Sequence, residues 1–124
     1  MSVESDIRTA LLANAPLAAL IGARLAPDKI VQGAARPYIV YIVQREPVAT
    51  LDGVVRSTLY KFRFQVWDDT RAGCEAAADA LEVALTAATS IEPGGIPIDA
   101  RETIAEHELD LEGTEIAFEH WRDA

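Results

Sequence analysis

The sequence is poor in cysteine and histidine, and it has no long apolar run. The single cysteine, Cys74, excludes an intramolecular disulfide. No apolar stretch approaches the ~20 residues that cross a bilayer. The acidic start, residues 1–6, lacks the basic region of a secretory signal. We therefore expect neither a leader nor a membrane span, and we expect synthesis in the cytoplasm.

The composition and the distribution of charge are more informative. Of the 124 residues, 50% are hydrophobic and 25% are charged, which is typical of one globular domain and excludes a disordered, collagen-like or coiled-coil chain. The net charge of −9 argues against nucleic acid as the main partner. Residues 99–124 hold nine acidic and two basic side chains, whereas residues 36–63 hold five basic and two acidic ones. This division suits head-to-tail contact between identical copies, although charge alone fits a solvated, mixed surface better.

Hydrophobic spacing predicts an α+β fold in one domain over residues 1–124: an antiparallel four-stranded sheet with helices packed on one face. Three helices are expected. The first follows a Ser2 cap and runs to about residue 14, and the third, residues 71–89, follows a cap at Asp68, Asp69 or Thr70. The second is short, residues 17–21, with Pro16 in its first turn and Gly22 at its end. The expected strands are residues 38–43, 60–66, 97–106 and 114–121, with a break between the last two near Glu112-Gly113. Residues 23–36 are interpreted as a connection, and residues 47–56 as a long hairpin loop around an Asp-Gly turn.

The two central strands differ in their pattern. Residues 38–43 are apolar on both faces, which predicts cover by helices on one side and by a neighbouring subunit on the other. The next strand alternates between apolar side chains turned inward and polar ones turned outward: Tyr60, Phe62, Phe64 and Val66 against Lys61, Arg63 and Gln65.

The motifs do not indicate enzyme chemistry. The segment from His107 to Leu111 begins like a zinc protease motif, but Leu111 stands where the second histidine is required. Gly94-Gly95 lacks the lysine and the spacing of a phosphate loop. Cys74 is expected to be a buried, inert thiol, and the carboxylates near His107 and His120 to face water. We therefore expect no catalytic, metal-binding or cofactor-binding residue and no cofactor.

Several segments in order resemble the tail-completion family of long-tailed bacteriophages, the small tail terminator and tail-to-head joining proteins. The segments that carry the resemblance are Ala15 to Gly22, Gln32-Gly33-Ala34, Pro37-Tyr38-Ile39-Val40-Tyr41, Thr50-Leu51-Asp52-Gly53, Phe64-Gln65-Val66-Trp67-Asp68 and Ile116 to Trp121. Together they span nearly the whole chain, although each is weak alone.

This resemblance implies a structural protein of the virion, made in the cytoplasm of a bacterial host. It implies a ring, typically a hexamer, that caps the finished tail tube, stops tube polymerisation and offers a surface to the head. The implied partners are other copies of the chain, the tail-tube protein and the head-tail connector protein, with neither a membrane nor a specific nucleic acid. We expect the subunit, tube or connector contacts at Arg45, Thr50, Leu51, Asp52, Gly53, Arg56, Lys61 and Arg63.

Three other interpretations remain open from the residues. A head-side neck or stopper protein would bind the connector rather than the tube. A small ligand-binding or enzymatic α+β domain would need a concave pocket with converging polar groups. A nucleic-acid-binding module would use Lys61 and Arg63 and would show steep salt dependence, but these bases and the aromatic residues fall on opposite faces of their strand.

Overall fold

A five-stranded sheet with three helices on one face forms the protein, in a computed structural model that describes residues 2–28, 35–106 and 110–123. The element order is α1 (Val3–Leu12), α2 (Ala15–Ile21), β1 (Leu25–Pro27), β2 (Tyr38–Ala49), β3 (Val55–Asp68), α3 (Arg71–Thr86), β4 (Ala100–Glu106) and β5 (Leu111–Asp123). The Gln32-Gly33-Ala34 element and residues 107–109 of the zinc-like motif lie outside the described residues.

The sheet has the order β1-β2-β3-β5-β4 and is mixed. The prediction of four antiparallel strands is therefore wrong in one strand, because β1 pairs with β2 in parallel. That strand has only three residues and ends in Pro27, so it has no periodic pattern and was included in the predicted connection. The other three pairings are antiparallel, as predicted.

The helix boundaries follow from their caps. The Ser2 hydroxyl accepts a hydrogen bond from the Ser5 amide at 3.1 Å, and the Asn14 side chain accepts one from the Leu17 amide at 3.2 Å. Of the three residues considered for the third helix, Thr70 is the cap, with the Gly73 amide 3.0 Å from its hydroxyl. Helix α2 ends at Ile21 and is capped by Gly22, whose combination of φ 60° and ψ −119° is open to glycine because it has no Cβ.

The core lies between these helices and one face of the sheet. Phe62, Phe64 and Phe118 stack on one another with ring centroids 5.0–6.0 Å apart, and Tyr41 lies against Phe64. The predicted inward orientation of Phe62, Phe64 and Val66 is confirmed, since all three are buried. The helices contribute buried apolar side chains, including Ile7, Leu11, Leu17, Ile21, Leu81 and Leu85.

The predicted loop over residues 47–56 is wrong in extent. Strand β2 continues through Ala49 and β3 begins at Val55, so that only residues 50–54 form the turn. The ladder runs from Tyr38↔Trp67 to Val48↔Ser57, with a bulge before Ala49↔Val55. Strand β1 pairs only with Ile39 to Tyr41, so among the described residues β2 is an edge strand at Pro47, where a proline is tolerated. The result is a long, ordered hairpin.

The predicted break at Glu112-Gly113 is also wrong. Strand β5 begins at Leu111, and Gly113 lies within it, opposite both Trp67 and Ile104. A Cβ on Gly113 would stand 2.7 Å from each of these side chains. The Trp67 and Ile104 side chains therefore occupy the space that a side chain at position 113 would need. Gly113 allows this close packing inside a strand and does not mark a turn. Strand β4 starts at Ala100 rather than residue 97.

Candidate assembly surfaces

Two surfaces of the sheet are left uncovered by the helices. The first is the open face, formed by the side chains of β2–β5 that point away from the helices. The second is the hairpin tip, residues 50–54, at the far end of β2 and β3. Most of the predicted interface residues lie on these two surfaces or beside them, and Arg45 lies on the opposite face of the sheet.

The hairpin tip is a rigid turn that presents an apolar side chain. The Thr50 amide donates to the Val54 carbonyl at 3.0 Å, and the Gly53 amide donates to the Thr50 carbonyl at 2.9 Å. The Asp52 carboxylate accepts from the Val54 amide at 3.1 Å and from the Thr50 hydroxyl. The Leu51 side chain is fully exposed to solvent.

Charge at the hairpin tip is held in place by the same turn. The hydrogen bonds from the Thr50 side chain and the Val54 backbone lower the pKa of Asp52, so its carboxylate is ionised at neutral pH. The second carboxylate oxygen lies 3.6 Å from the Arg56 guanidinium. Asp52 and the neighbouring Arg56 thus place one negative and one positive side chain close to Leu51.

The hairpin end, residues 46–59 together with Trp121, is unusually apolar for a surface. Seven large hydrophobic side chains are exposed in the described part of the chain, and five of them lie here: Val48, Leu51, Val54, Val55 and Trp121. Leu59 pairs directly with Trp121 across the strands on the open face. Concentrated apolar exposure of this kind makes the hairpin end a candidate contact surface.

The centre of the open face contains a hollow of about 280 Å³. Ile42 and Ala117 lie opposite Arg63 on the two neighbouring strands and form the apolar part of its lining. Charged side chains surround them, with Lys61 and Arg63 on β3, Glu119 on β5 and Asp99 just before β4.

Lys61 and Arg63 differ in their partners. Lys61 lies 3.0 Å from the Glu46 carboxylate, and the hydrogen bond with Glu46 raises the pKa of this lysine. Arg63 is exposed and, among the residues that the structure describes, it is the one basic side chain with neither an ion pair nor a side-chain hydrogen bond. Arg63 is therefore free to bind an external acid.

Arg45 does not join these residues. Its side chain lies on the helix side of β2, where it contacts Glu4 at 3.3 Å and stands over the Tyr60 ring at 5.7 Å. The predicted interface set is thus split, with Lys61 and Arg63 on the open face, Arg45 on the opposite face, and Thr50, Leu51, Asp52, Gly53 and Arg56 at or beside the hairpin tip.

The sequence interpretation missed Trp121, Asp99 and Ala117 as residues of these surfaces, and it missed Leu59, which is buried beneath Trp121. A tryptophan on the outward side of a strand was the available signal for Trp121, since its alternation with Phe118 placed it outward. The hollow had no such signal, because it depends on the pairing of β3 with β5.

The titratable groups elsewhere are arranged as parts of the core. Burial raises the pKa of the Cys74 thiol, which contacts the Val66 carbonyl and the Thr114 hydroxyl at 3.4 Å. His120 is buried with its Nδ1 2.6 Å from a Glu92 carboxylate oxygen. Within residues 2–28, 35–106 and 110–123, no three histidine, cysteine or acidic side chains group as a metal site. No helix in this part of the chain has the length and apolar character needed to cross a membrane.

The comparison with protein families decides the identity. The family model described as tail completion protein gp17 matches residues 5–117. The chain belongs to the tail completion protein gp17 family. It is therefore a structural protein of the tail or neck of a phage or phage-like particle, and the resemblance inferred from the ordered segments is confirmed.

Solved structures share the fold of this tail completion protein. A chain from the "virion of native gene transfer agent (GTA) particle" superimposes with a TM-score of 0.77 at 18% identity, covering 99% of this chain and 96% of that one. A second solved chain has a TM-score of 0.59 at 17% identity and covers 100% and 97%. None of the curated proteins matches this sequence significantly.

Proposed function

We propose that this tail completion protein forms a ring that caps the finished tail tube. The ring stops tube polymerisation and provides the surface to which the head joins. The proposed role is structural, with no enzymatic activity and no cofactor. The single observation that carries the proposal is family membership over residues 5–117. Two uncovered surfaces on one small chain support it, because a subunit of such a ring must contact both its neighbours and another component of the particle.

The proposed partners are other copies of the chain, the tail-tube protein and the head-tail connector protein. The open face and the hairpin end supply apolar area and charge of both signs, which suits protein partners better than nucleic acid. The protein would be made in the host cytoplasm and would act in the virion.

The proposed ring is tested by native mass spectrometry over a concentration series. Six copies of 13.4 kDa give a species of about 80 kDa. Purified tail-tube protein is then allowed to polymerise with and without this protein, and tube lengths are measured by electron microscopy. We expect shorter tubes that carry a ring at one end. Tubes of unchanged length, with the protein bound only to connector subunits, would assign it to the head side of the neck instead.

A further inference from the structure

We propose that the hairpin tip of one copy docks into the hollow on the open face of a second copy, with Leu51 against Ile42 and Ala117 and with Asp52 paired to Arg63. This inference rests on the self-association in the proposed function and names the contact that would produce it.

The hairpin tip has the features of a preordered binding element. Leu51 is fully exposed, and the turn that carries it is fixed by the hydrogen bonds among Thr50, Asp52, Gly53 and Val54. Little conformational freedom is left to lose on docking, which favours binding. A leucine at a fixed turn gains by burial wherever an apolar hollow can receive it.

The hollow has the size and lining for that side chain. A cavity of about 150 Å³ holds a benzene-sized molecule, and the hollow on the open face measures about 280 Å³. Ile42 is half-buried beside it, and Ala117 leaves space on the neighbouring strand because its side chain is small.

The charges of the two surfaces are complementary. Asp52 uses one carboxylate oxygen for the turn, and among the described residues its other oxygen meets the exposed Arg56 alone, at 3.6 Å. Arg63 at the hollow has no partner among the described side chains, as shown above. Arg56 beside the tip is basic, and the rim of the hollow carries the acidic Asp99 and Glu119. Such pairing sets orientation and register.

The tip cannot reach the hollow of its own copy. Arg63 and Val55 lie eight residues apart on β3, which corresponds to about 26 Å along an extended strand. The strand is paired with β2 on one side and β5 on the other, so it cannot fold back on itself. The occupant is therefore a second copy, and a contact between two different patches repeats head to tail until it closes as a ring or grows as a filament.

The first experiment compares Leu51→Asp with Val83→Asp by native mass spectrometry and sedimentation. Val83 is a matched control, since it is an exposed apolar residue on α3, away from both surfaces. We expect Leu51→Asp to weaken self-association at least tenfold and Val83→Asp to leave it unchanged. Equal effects of the two variants, or a wild-type chain that stays monomeric throughout, would overturn the proposal.

The second experiment mixes two defective variants. Leu51→Asp has a damaged tip and an intact hollow, whereas Arg63→Glu has an intact tip and a damaged hollow. Each alone should be monomeric, while the mixture should give a two-copy species and nothing larger, because only one of its possible contacts is intact. Rings in the mixture, or no association at all, would contradict the docking contact.

The same variants separate this inference from the proposed function. If Leu51→Asp still forms rings that shorten tubes, the docking contact is wrong and the proposed function stands. If copies associate through tip and hollow but the tube is never capped, the contact stands and the proposed function fails.

Discussion

Gly113 is the residue at which the sheet leaves least space. An added methyl group would stand 2.7 Å from the Trp67 ring and from the Ile104 side chain. We expect Gly113→Ala to lower the free energy of unfolding by about 1–3 kcal/mol, the usual cost of overpacking. Urea unfolding measures this, and Ile104→Ala should recover part of the loss in the double variant because it removes one of the two clashes. An unchanged midpoint in Gly113→Ala would show that the strand adjusts without strain.

Glu75 provides a residue-scale prediction about acid. Hydrogen bonds from Arg101 and then Thr114 lower the pKa of this carboxyl group. Because the pKa is lower in the folded state, the ionised group stabilises the fold above its unfolded pKa of about 4.3, and this contribution is lost as the pH falls through the folded pKa.

We therefore expect Glu75→Gln to be less stable than the wild type at pH 7 and to lose less further stability on acidification. Urea unfolding at pH 7 and at about pH 3 tests this. Glu102→Gln is the control, since Glu102 is an exposed carboxylate with no ion pair to a described residue. A parallel fall of Glu75→Gln and the wild type would remove Glu75 from the acid response.

At the scale of the element, the turn of the hairpin depends on one oxygen of Asp52. The Val54 amide donates to this oxygen at 3.1 Å. We expect Asp52→Ala to speed amide exchange at Val54 by about 2–10-fold, the equivalent of one hydrogen bond, whereas Asp52→Asn keeps an acceptor and changes little. Hydrogen exchange followed by NMR distinguishes the two variants. Equal exchange in both would mean that the backbone bonds alone hold the turn.

The elements also show what the sequence could and could not predict. Helices α1, α2 and α3 were found because capping residues and periodic apolar positions are local signals. Strand β1 was missed because three residues held by a distant partner leave no local pattern. The length of the hairpin was missed for a related reason: Val48 and Val55 pair across the turn, although Pro47 and Gly53 suggested a loop.

The candidate surfaces were predicted to a smaller extent. Alternation along β3 placed Lys61 and Arg63 together and outward, which the structure confirms. It could not place Arg45 on the other face relative to them, because that requires the register between two strands. The hollow required the pairing of a third strand, β5, so no local pattern could indicate it.

At the scale of the whole molecule, the hairpin tip and the hollow lie at different places along the same pair of strands. Charge reversal at the hollow can therefore separate effects on monomer stability from effects on assembly. Lys61→Glu would place a third carboxylate near Glu46 and Glu119, so it should lower the stability of the monomer. Arg63→Glu removes no ion pair within the described part of the chain, so it should lower the unfolding temperature less than Lys61→Glu does. We nevertheless expect Arg63→Glu to abolish assembly, because Arg63 is the cation available to a neighbouring copy.

Thermal unfolding and native mass spectrometry on the same samples separate these effects.

The pair Arg63→Gln and Asp52→Asn extends the test, since each variant removes one charge of the proposed contact while keeping the shape of the side chain. Their combined effect on assembly should be smaller than the sum of the single effects, because either change alone already breaks the pair. Raising the salt concentration should weaken wild-type assembly and have less influence on both variants, as expected for a contact between exposed charges. Additive losses with equal salt dependence would place Asp52 and Arg63 in separate contacts and leave the ring to be held by other residues of the hairpin end and the open face.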